Sequence, residues 1–312
     1  MQTVLITGGT GMIGKALTEA LIERGFHVII LTRNASKHKP ATNISFAEWD
    51  IQKQTIDKKA VEKADHVVHL AGASVAEKRW TDKRKQEIVS SRVDSGKLLV
   101  ESLKTIPNKA RTVISISGIG WYGPDKNDGR EFIESDPSSN DFLAQTCKQW
   151  EAAIEPVSFL GKRLVKLRTG IVLSNEGGAY PEFKKPLKFG TATILGNGKQ
   201  VVSWIHIDDL VRIILFAIEE EKMDGTYNAV TPDPVTNKEL VLEIARKERG
   251  RSFISIHVPT FALKIRLGEM SIEVLKSATV SGEKIQKTGF MFQYPDLSSA
   301  ILQLSHQKNL PA

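Results

Sequence analysis

The stretch LITGGTGMIG, residues 5–14, decides the fold. It sets Gly8, Gly9, Gly11 and Gly14 between the apolar run TVLIT (3–7) and the amphipathic run KALTEALIERG (15–25). Glycine weakens strands and helices alike, so a cluster at such a junction marks a sharp turn or a close backbone approach. Gly8, Gly11 and Gly14 form G-x-x-G-x-x-G between a strand and a helix, the setting in which that pattern binds a dinucleotide. One glycine permits the turn, the next lets the backbone approach a pyrophosphate, and the third lets helix and strand pack closely. The helix N-terminus, around Thr10, Met12 and Ile13, offers backbone N–H groups to the anion.

Outward from this turn, apolar runs alternate with amphipathic segments. HVIILT (27–32), HVVHLA (66–71), TVISIS (112–117) and LVKLRT (164–169) read as buried strands. DSGKLLVESL (94–103) and DFLAQTCKQWEAAI (141–154) read as helices. Such alternation predicts an α/β fold of Rossmann type, a doubly wound parallel sheet covered on both faces. Residues 1–175 form the expected nucleotide-binding domain, with 206–232 returning to it. After residue 175 the pattern loosens: 192–205 reads as a hairpin turning at Asn197-Gly198, and 208–221 and 236–250 as helices. Residues 176–250 are read as substrate-side segments, and 251–312 as a small α+β C-terminal region containing the strand FISIHV.

The composition, 41% hydrophobic and 25% charged, is that of a globular protein. No run approaches a membrane span, no leader peptide is read at the N-terminus, and the single cysteine, Cys147, excludes a disulfide framework. A cytoplasmic protein with no membrane partner and no metal site is expected. The net charge of +7 favours anionic small molecules. No helix-turn-helix, zinc finger or aromatic-basic repeat points to nucleic acid. An oligomer remains open.

The second strand ends ILTRN, with Arg33 where NAD-selective sites carry an acid. A guanidinium grips a 2′-phosphate that a carboxylate would repel, so the expected cofactor is NADP(H).

TGGTGMIG, WDI (49–51), VVHLAGAS (67–74), SISGIGWYG (115–123), LRTGIVLS (167–174) and SWIHIDDL (203–210) stand in an order that resembles the extended or atypical short-chain dehydrogenase/reductases. More narrowly, the chain is similar to their epimerase family proteins, which carry WE after the central helix, GG near 177–178 and a short C-terminal domain of unknown function. TGF (288–290) and YPDL (294–297) fit that domain. The resemblance implies that Asp50 receives the adenine amino group with Ile51 beside the ring. It implies that Leu70, Ala71 and Gly72 line ribose and diphosphate, and that Gly170 lies by the nicotinamide. Ser117 matches the serine that polarises a substrate oxygen. Tyr122, on the loop after that strand, is a candidate acid/base.

The superfamily's Tyr-x-x-x-Lys pair falls at Leu143 and Cys147, aligned on Glu151, and Lys148 lies about 100° round the helix. Two other strings of that form, Tyr122–Lys126 and Tyr180–Lys184, are read as coincidence. Two functions are carried forward. One is an NADP(H)-dependent epimerase- or reductase-like enzyme for a small anionic carbonyl or nucleotide-sugar-type substrate. The other is a non-catalytic NADP(H)-binding sensor or scaffold. In SWIHIDDL, Asp208 is read as a helix cap and His206 as a tie between segments. Buried Cys147 and His69 are read as structural.

Overall fold

A computed structural model describes residues 1–126 and 128–306. The first half of the chain runs β1 (Thr3–Thr7), α1 (Met12–Glu23), β2 (His27–Thr32), β3 (Ile44–Asp50), β4 (Thr55–Ile56), α2 (Lys58–Lys63), β5 (His66–His69), α3 (Asp82–Thr105), β6 (Thr112–Gly118), α4 (Phe142–Ile154) and β7 (Arg163–Thr169). The remainder adds β8 (Ile171–Ser174), β9 (Gly177–Gly178), α5 (Ala179–Lys184), β10 (Thr191–Leu195), β11 (Val201–Val202), β12 (Trp204–His206), α6 (Ile207–Glu219) and β13 (Gly225–Ala229). It ends with β14 (Val235–Thr236), α7 (Asn237–Arg249), β15 (Ile254–Val258), α8 (Thr260–Leu267), α9 (Ser271–Leu275), α10 (Glu283–Lys287) and α11 (Leu297–His306).

The main sheet has eight strands in the order β13-β7-β6-β5-β1-β2-β3-β4. Every pairing is parallel except the last, β3 with β4. All the parallel strands therefore end on one edge, and the chain reverses direction across the sheet between β1 and β5. That reversal is where open α/β sheets bind ligands.

The central strands β1, β2, β5 and β6 are largely apolar because both faces of the sheet are covered. Val4 and Ile6 of β1 enter a core with Leu17 and Leu21 of α1 and Leu210 and Ile214 of α6. Leu5, one residue along the pleat, enters the opposite core with Val61 of α2 and Leu99 of α3. A third core joins Leu173 and Tyr180 to Leu240 and Ile244 of α7 and Ile301 of α11.

The pattern after residue 175 differs from the sequence expectation. Residues 192–205 do not form a hairpin. Asn197-Gly198 does turn, with the Gly198 N–H donating to the Leu195 carbonyl at 3.0 Å. The flanking strands then separate: β10 pairs parallel with β15, β11 antiparallel with β14, and β12 parallel with β8. A local turn signal cannot report that each strand has a better partner elsewhere. Strands β3 and β13 were also missed, since ISFAEWD and GTYNA lack an unbroken apolar run. Helix α7 follows its local signals: Thr236 and Glu239 form a capping box, and Gly250 closes the helix.

Candidate functional site

The glycine turn has a distinct job at each position. Gly8 takes φ +70°, and a Cβ there would stand 2.9 Å from the Leu70 carbonyl carbon. A Cβ on Gly14 would stand 2.4 Å from the Gly9 Cα, so α1 packs on the turn without a side chain between them. At Gly11 the nearest neighbour is the Gly8 carbonyl oxygen at 3.4 Å, which leaves this position open on its outer side. Among the described residues no side chain caps α1 at Gly11. An uncapped helix N-terminus behind bare backbone fits a diphosphate. Thr10 is exposed there, while Met12 and Ile13 are half-buried. Met12 reaches across to the β8–β9 hairpin, its Sδ 3.6 Å from where a Cβ on Gly177 would be.

Next to this cradle, Thr7 binds the end of β5. Its Oγ1 accepts from the N–H groups of Leu70 at 3.1 Å and Ala71 at 3.2 Å. The threonine proton is then left for Nδ1 of His69 at 2.8 Å, which puts the imidazole proton on Nε2, facing Ser95 Oγ at 3.4 Å. Burial, with Arg92 nearby, pulls His69 down to about 4, so it is a neutral spacer. Gly72 follows, exposed, with the Arg92 guanidinium behind it.

Arg33 stands exposed just past β2 and has no ion-pair partner among the described residues. Behind it, His38 stacks on Phe46 with ring centroids 4.7 Å apart. Asp50 ends β3 and closes a turn: its Oδ1 accepts from the N–H of Gln52 at 2.9 Å and of Lys53 at 3.1 Å. The Lys53 N–H chiefly, with that of Gln52, holds the carboxyl below its ordinary range. Ile51 packs on the core beneath α2 and α3.

Ser117 and Tyr122 meet in one buried network. Ser117 Oγ donates to Glu151 Oε1 at 2.8 Å. Glu151 is held at two points by Arg168, whose Nη1 also donates to the Tyr122 hydroxyl at 3.0 Å. Tyr122 in turn donates to Asn228 Oδ1 at 2.6 Å. The Arg168 guanidinium lies 3.7 Å over the Trp121 ring. Burial pushes the Tyr122 phenol up to about 12. Leu143 and Cys147 face the loop after β6. Leu143 Cβ is 3.2 Å from a Cβ built on Gly120, and Cys147 Sγ contacts the Gly118 carbonyl at 3.6 Å. Lys148 points to solvent.

Glu151, Arg168, Asn228 and Arg92 were not read as site residues from the sequence. The signals available were the WE and LRT strings; Asn228 had none. At Gly170 a Cβ would stand 2.7 Å from the Ser203 carbonyl oxygen and 2.9 Å from Val230, so a tight backbone crossing accounts for glycine there.

The SWIHIDDL segment is structural joinery with one correction. His206, not Asp208, caps α6, its Nδ1 accepting from the Asp208 N–H at 3.1 Å. His206 Nε2 meets Gln303 of α11 at 3.0 Å, and Asp209 accepts from the N–H groups of Gln293 and Tyr294, both at 2.8 Å. Tyr180 and Lys184 do lie one turn apart on α5, but both reach Glu248 of α7, away from the ligand edge. Lys126 lies over the Phe132 ring at 5.8 Å, outside any helix. Among the described residues no group of three His, Cys, Asp or Glu is placed to hold a metal ion. No described helix is long and apolar enough to cross a membrane.

Comparison with known proteins places this geometry. The NAD dependent epimerase/dehydratase family matches residues 4–147 and 175–229, and a domain of unknown function (DUF1731) matches residues 258–304. The chain is 38% identical over 309 residues to the epimerase family protein SSP1921 of Staphylococcus saprophyticus, covering 98% of this chain and 100% of that protein. Among solved structures it resembles the human epimerase family protein SDR39U1 (isoform 2) with NADPH, at TM-score 0.85 and 28% identity, covering 99% of this chain and 100% of that one. It also resembles a nucleoside-diphosphate sugar epimerase from Corynebacterium glutamicum, at TM-score 0.76 and 32% identity, covering 98% of this chain and 58% of that one. The family model spans the glycine turn and most of the parallel sheet, and the full-length relative matches end to end, so the chain belongs to the NAD dependent epimerase/dehydratase family.

Proposed function

We propose that the protein binds NADP(H) at this sheet edge and serves an epimerase- or reductase-like reaction on a small anionic carbonyl or nucleotide-sugar-type substrate in the cytoplasm. The observation that carries this reading is Arg33, exposed at the end of β2 with no ion-pair partner among the described residues and no acid in its place. The NADPH in the human relative's structure supports the same choice. In this reading residues 1–175, joined by 206–232, are the NADP-binding unit. Residues 176–250 are substrate-side segments, and 251–312 form a small α+β domain.

When bound, the nicotinamide supplies hydride chemistry. The chain's own residues hold and orient. Gly8, Thr10, Gly11, Met12, Ile13 and Gly14 cradle the diphosphate, and Arg33 forks the 2′-phosphate. Asp50 and Ile51 flank the adenine; Leu70, Ala71 and Gly72 line the ribose side, and Gly170 the nicotinamide side. The usual Tyr-x-x-x-Lys pair is missing, with Leu143 and Cys147 in its place. Ser117 and Tyr122 remain the candidate hydroxyls, anchored by Glu151 and Arg168. At neutral pH a phenol shifted to about 12 keeps its proton. It is therefore suited to deliver a proton to a reduced oxygen and poorly suited to remove one.

A second reading is favoured by the protons already in use: Ser117 donates to Glu151 and Tyr122 to Asn228. A site so engaged suits a cofactor-binding sensor or scaffold. Incubation with NADPH and a panel of carbonyls and nucleotide sugars, followed by absorbance, separates the two. Turnover abolished by Tyr122→Phe or Ser117→Ala supports the enzyme. Tight NADPH binding without turnover, with a partner recovered only when cofactor is present, supports the sensor.

A further inference from the structure

Arg92 projects from α3 beneath the loop that follows β5. It is 9% exposed, yet no carboxylate pairs with it among the described residues. Its Nη1 donates to the carbonyls of Ala73 and Ile88, both at 2.9 Å, and its guanidinium lies 4.8 Å over the Trp150 ring. Carbonyls and a ring face stabilise a guanidinium without neutralising it. Burial, with Arg84 nearby, brings Arg92 down to about 10, which leaves it a cation at neutral pH.

The groups around it do not cancel that charge. Arg84 pairs with Glu87 at 2.7 Å and Glu77 at 3.5 Å, and both of those carboxylates are exposed to water, which screens their surplus charge. Cys147 is a buried thiol pushed up to about 11, hence uncharged. Glu151, one turn further along α4, is taken at two points by Arg168. One uncompensated positive charge therefore remains behind the sheet edge. A buried charge without a counterion is expensive, so its retention calls for a use.

Its position supplies one. A Cβ on Gly72 would stand 3.1 Å from the Arg92 Cζ, and Gly72 is exposed. Bare backbone thus opens a window onto the guanidinium at the end of β5. Cys147, also a neighbour of Arg92, contacts Gly118 at the end of β6. In the sheet order β5 lies between β1 and β6. The window therefore lies beside the β1 turn, where a bound dinucleotide's nicotinamide half would have Arg92 behind it.

We propose that Arg92 is a redox-state selector, a fixed buried cation that makes the site prefer NADPH, whose nicotinamide is neutral, over NADP+, whose nicotinamide is cationic. The proposal rests on the NADP(H) reading above. Phosphates are identical in the two forms, so their attraction to Arg92 cancels in the ratio of affinities. Only the charge on the ring differs. Repulsion between two like charges in a partly dry site amounts to on the order of tenfold or more in that ratio. Preference for the reduced form suits either a reductase loaded with NADPH or a sensor of the reduced pool.

The test is calorimetric titration of the full chain with NADPH and, separately, NADP+, for the wild type, Arg92→Met and Arg92→Lys. The wild type is expected to bind NADPH at least about tenfold more tightly than NADP+. Arg92→Met should bring the two affinities together, and Arg92→Lys, which keeps the charge, should retain most of the difference. Equal affinities in the wild type overturn the proposal, even if Arg92→Met fails to fold. An unchanged ratio in folded Arg92→Met overturns it as well. If the wild type binds neither form, the NADP(H) reading falls too, an outcome distinct from binding without discrimination.

Discussion

Arg168 and Glu151 form a two-point ion pair, Nε to Oε1 at 2.8 Å and Nη2 to Oε2 at 3.0 Å, with both side chains nearly excluded from water. The pair joins the end of β7 to α4, and through Ser117 and Tyr122 it also ties down the end of β6 and its following loop. Removing one partner leaves the other charge buried and alone. Glu151→Ala should therefore cost about 3–5 kcal/mol of stability, read from urea unfolding. A loss below about 1 kcal/mol would mean that water reaches the pair and that it does not organise the site.

The glycine turn separates folding from binding. Gly14→Ala drives a methyl into the Gly9 backbone, 2.4 Å from its Cα, and neither element can yield. That variant should lose stability before any ligand is added. Gly11 has φ −80° and open space beyond 3.4 Å, so Gly11→Ala should melt like the wild type. It should nevertheless weaken NADPH binding by about tenfold or more, because the methyl stands where the diphosphate approaches. Unimpaired NADPH affinity in Gly11→Ala would place the ligand elsewhere.

Arg33 should set cofactor choice without affecting the fold. Arg33→Ala is expected to weaken NADPH binding about tenfold and to leave NADH binding unchanged, since a single charge-assisted fork is lost. Parallel titrations check this. An equal effect on both cofactors would assign Arg33 a general electrostatic role.

Stability should fall on the acid side of neutrality. His69 titrates near 6.5 when unfolded but is held down to about 4 when folded, by burial first and Arg92 second. Between those values the unfolded chain binds the extra proton, so acid favours unfolding. The contribution is complete above pH 6.5 and is lost progressively as pH falls to about 4, for a total of about 3 kcal/mol. Burial also lowers His66, which adds slope in the same direction. Urea unfolding at pH 7 and pH 5 tests this. His69→Gln should flatten the dependence, and an identical slope in that variant would exclude His69 as its source.

Local pattern carried much of the fold. TVLIT and HVIILT became strands with the expected bounds, and Thr236 and Gly250 bracket α7 as capping rules require. Helix α3 spans Asp82–Thr105, so the run 94–103 is only its apolar later part, behind first turns that are polar. In the site, Gly11 and Gly14 could be read because the turn and helix start that constrain them are local, whereas Gly8 meets Leu70 and Gly170 meets Ser203 across the fold. The direction of Ser117 and the burial of Tyr122 could not.

The order of residues by itself determined the glycine turn between β1 and α1, the alternation of apolar and amphipathic segments and the caps of α7, because each depends on neighbours within a turn or a pleat. Tertiary structure alone decided that Tyr122 meets Asn228, 106 positions away, that β10 leaves its apparent hairpin partner for β15, and that the Arg92 guanidinium lies behind Gly72. Those outcomes are set by which distant surfaces pack together, and packing selects partners by shape and burial over the whole chain, which no short window of sequence records.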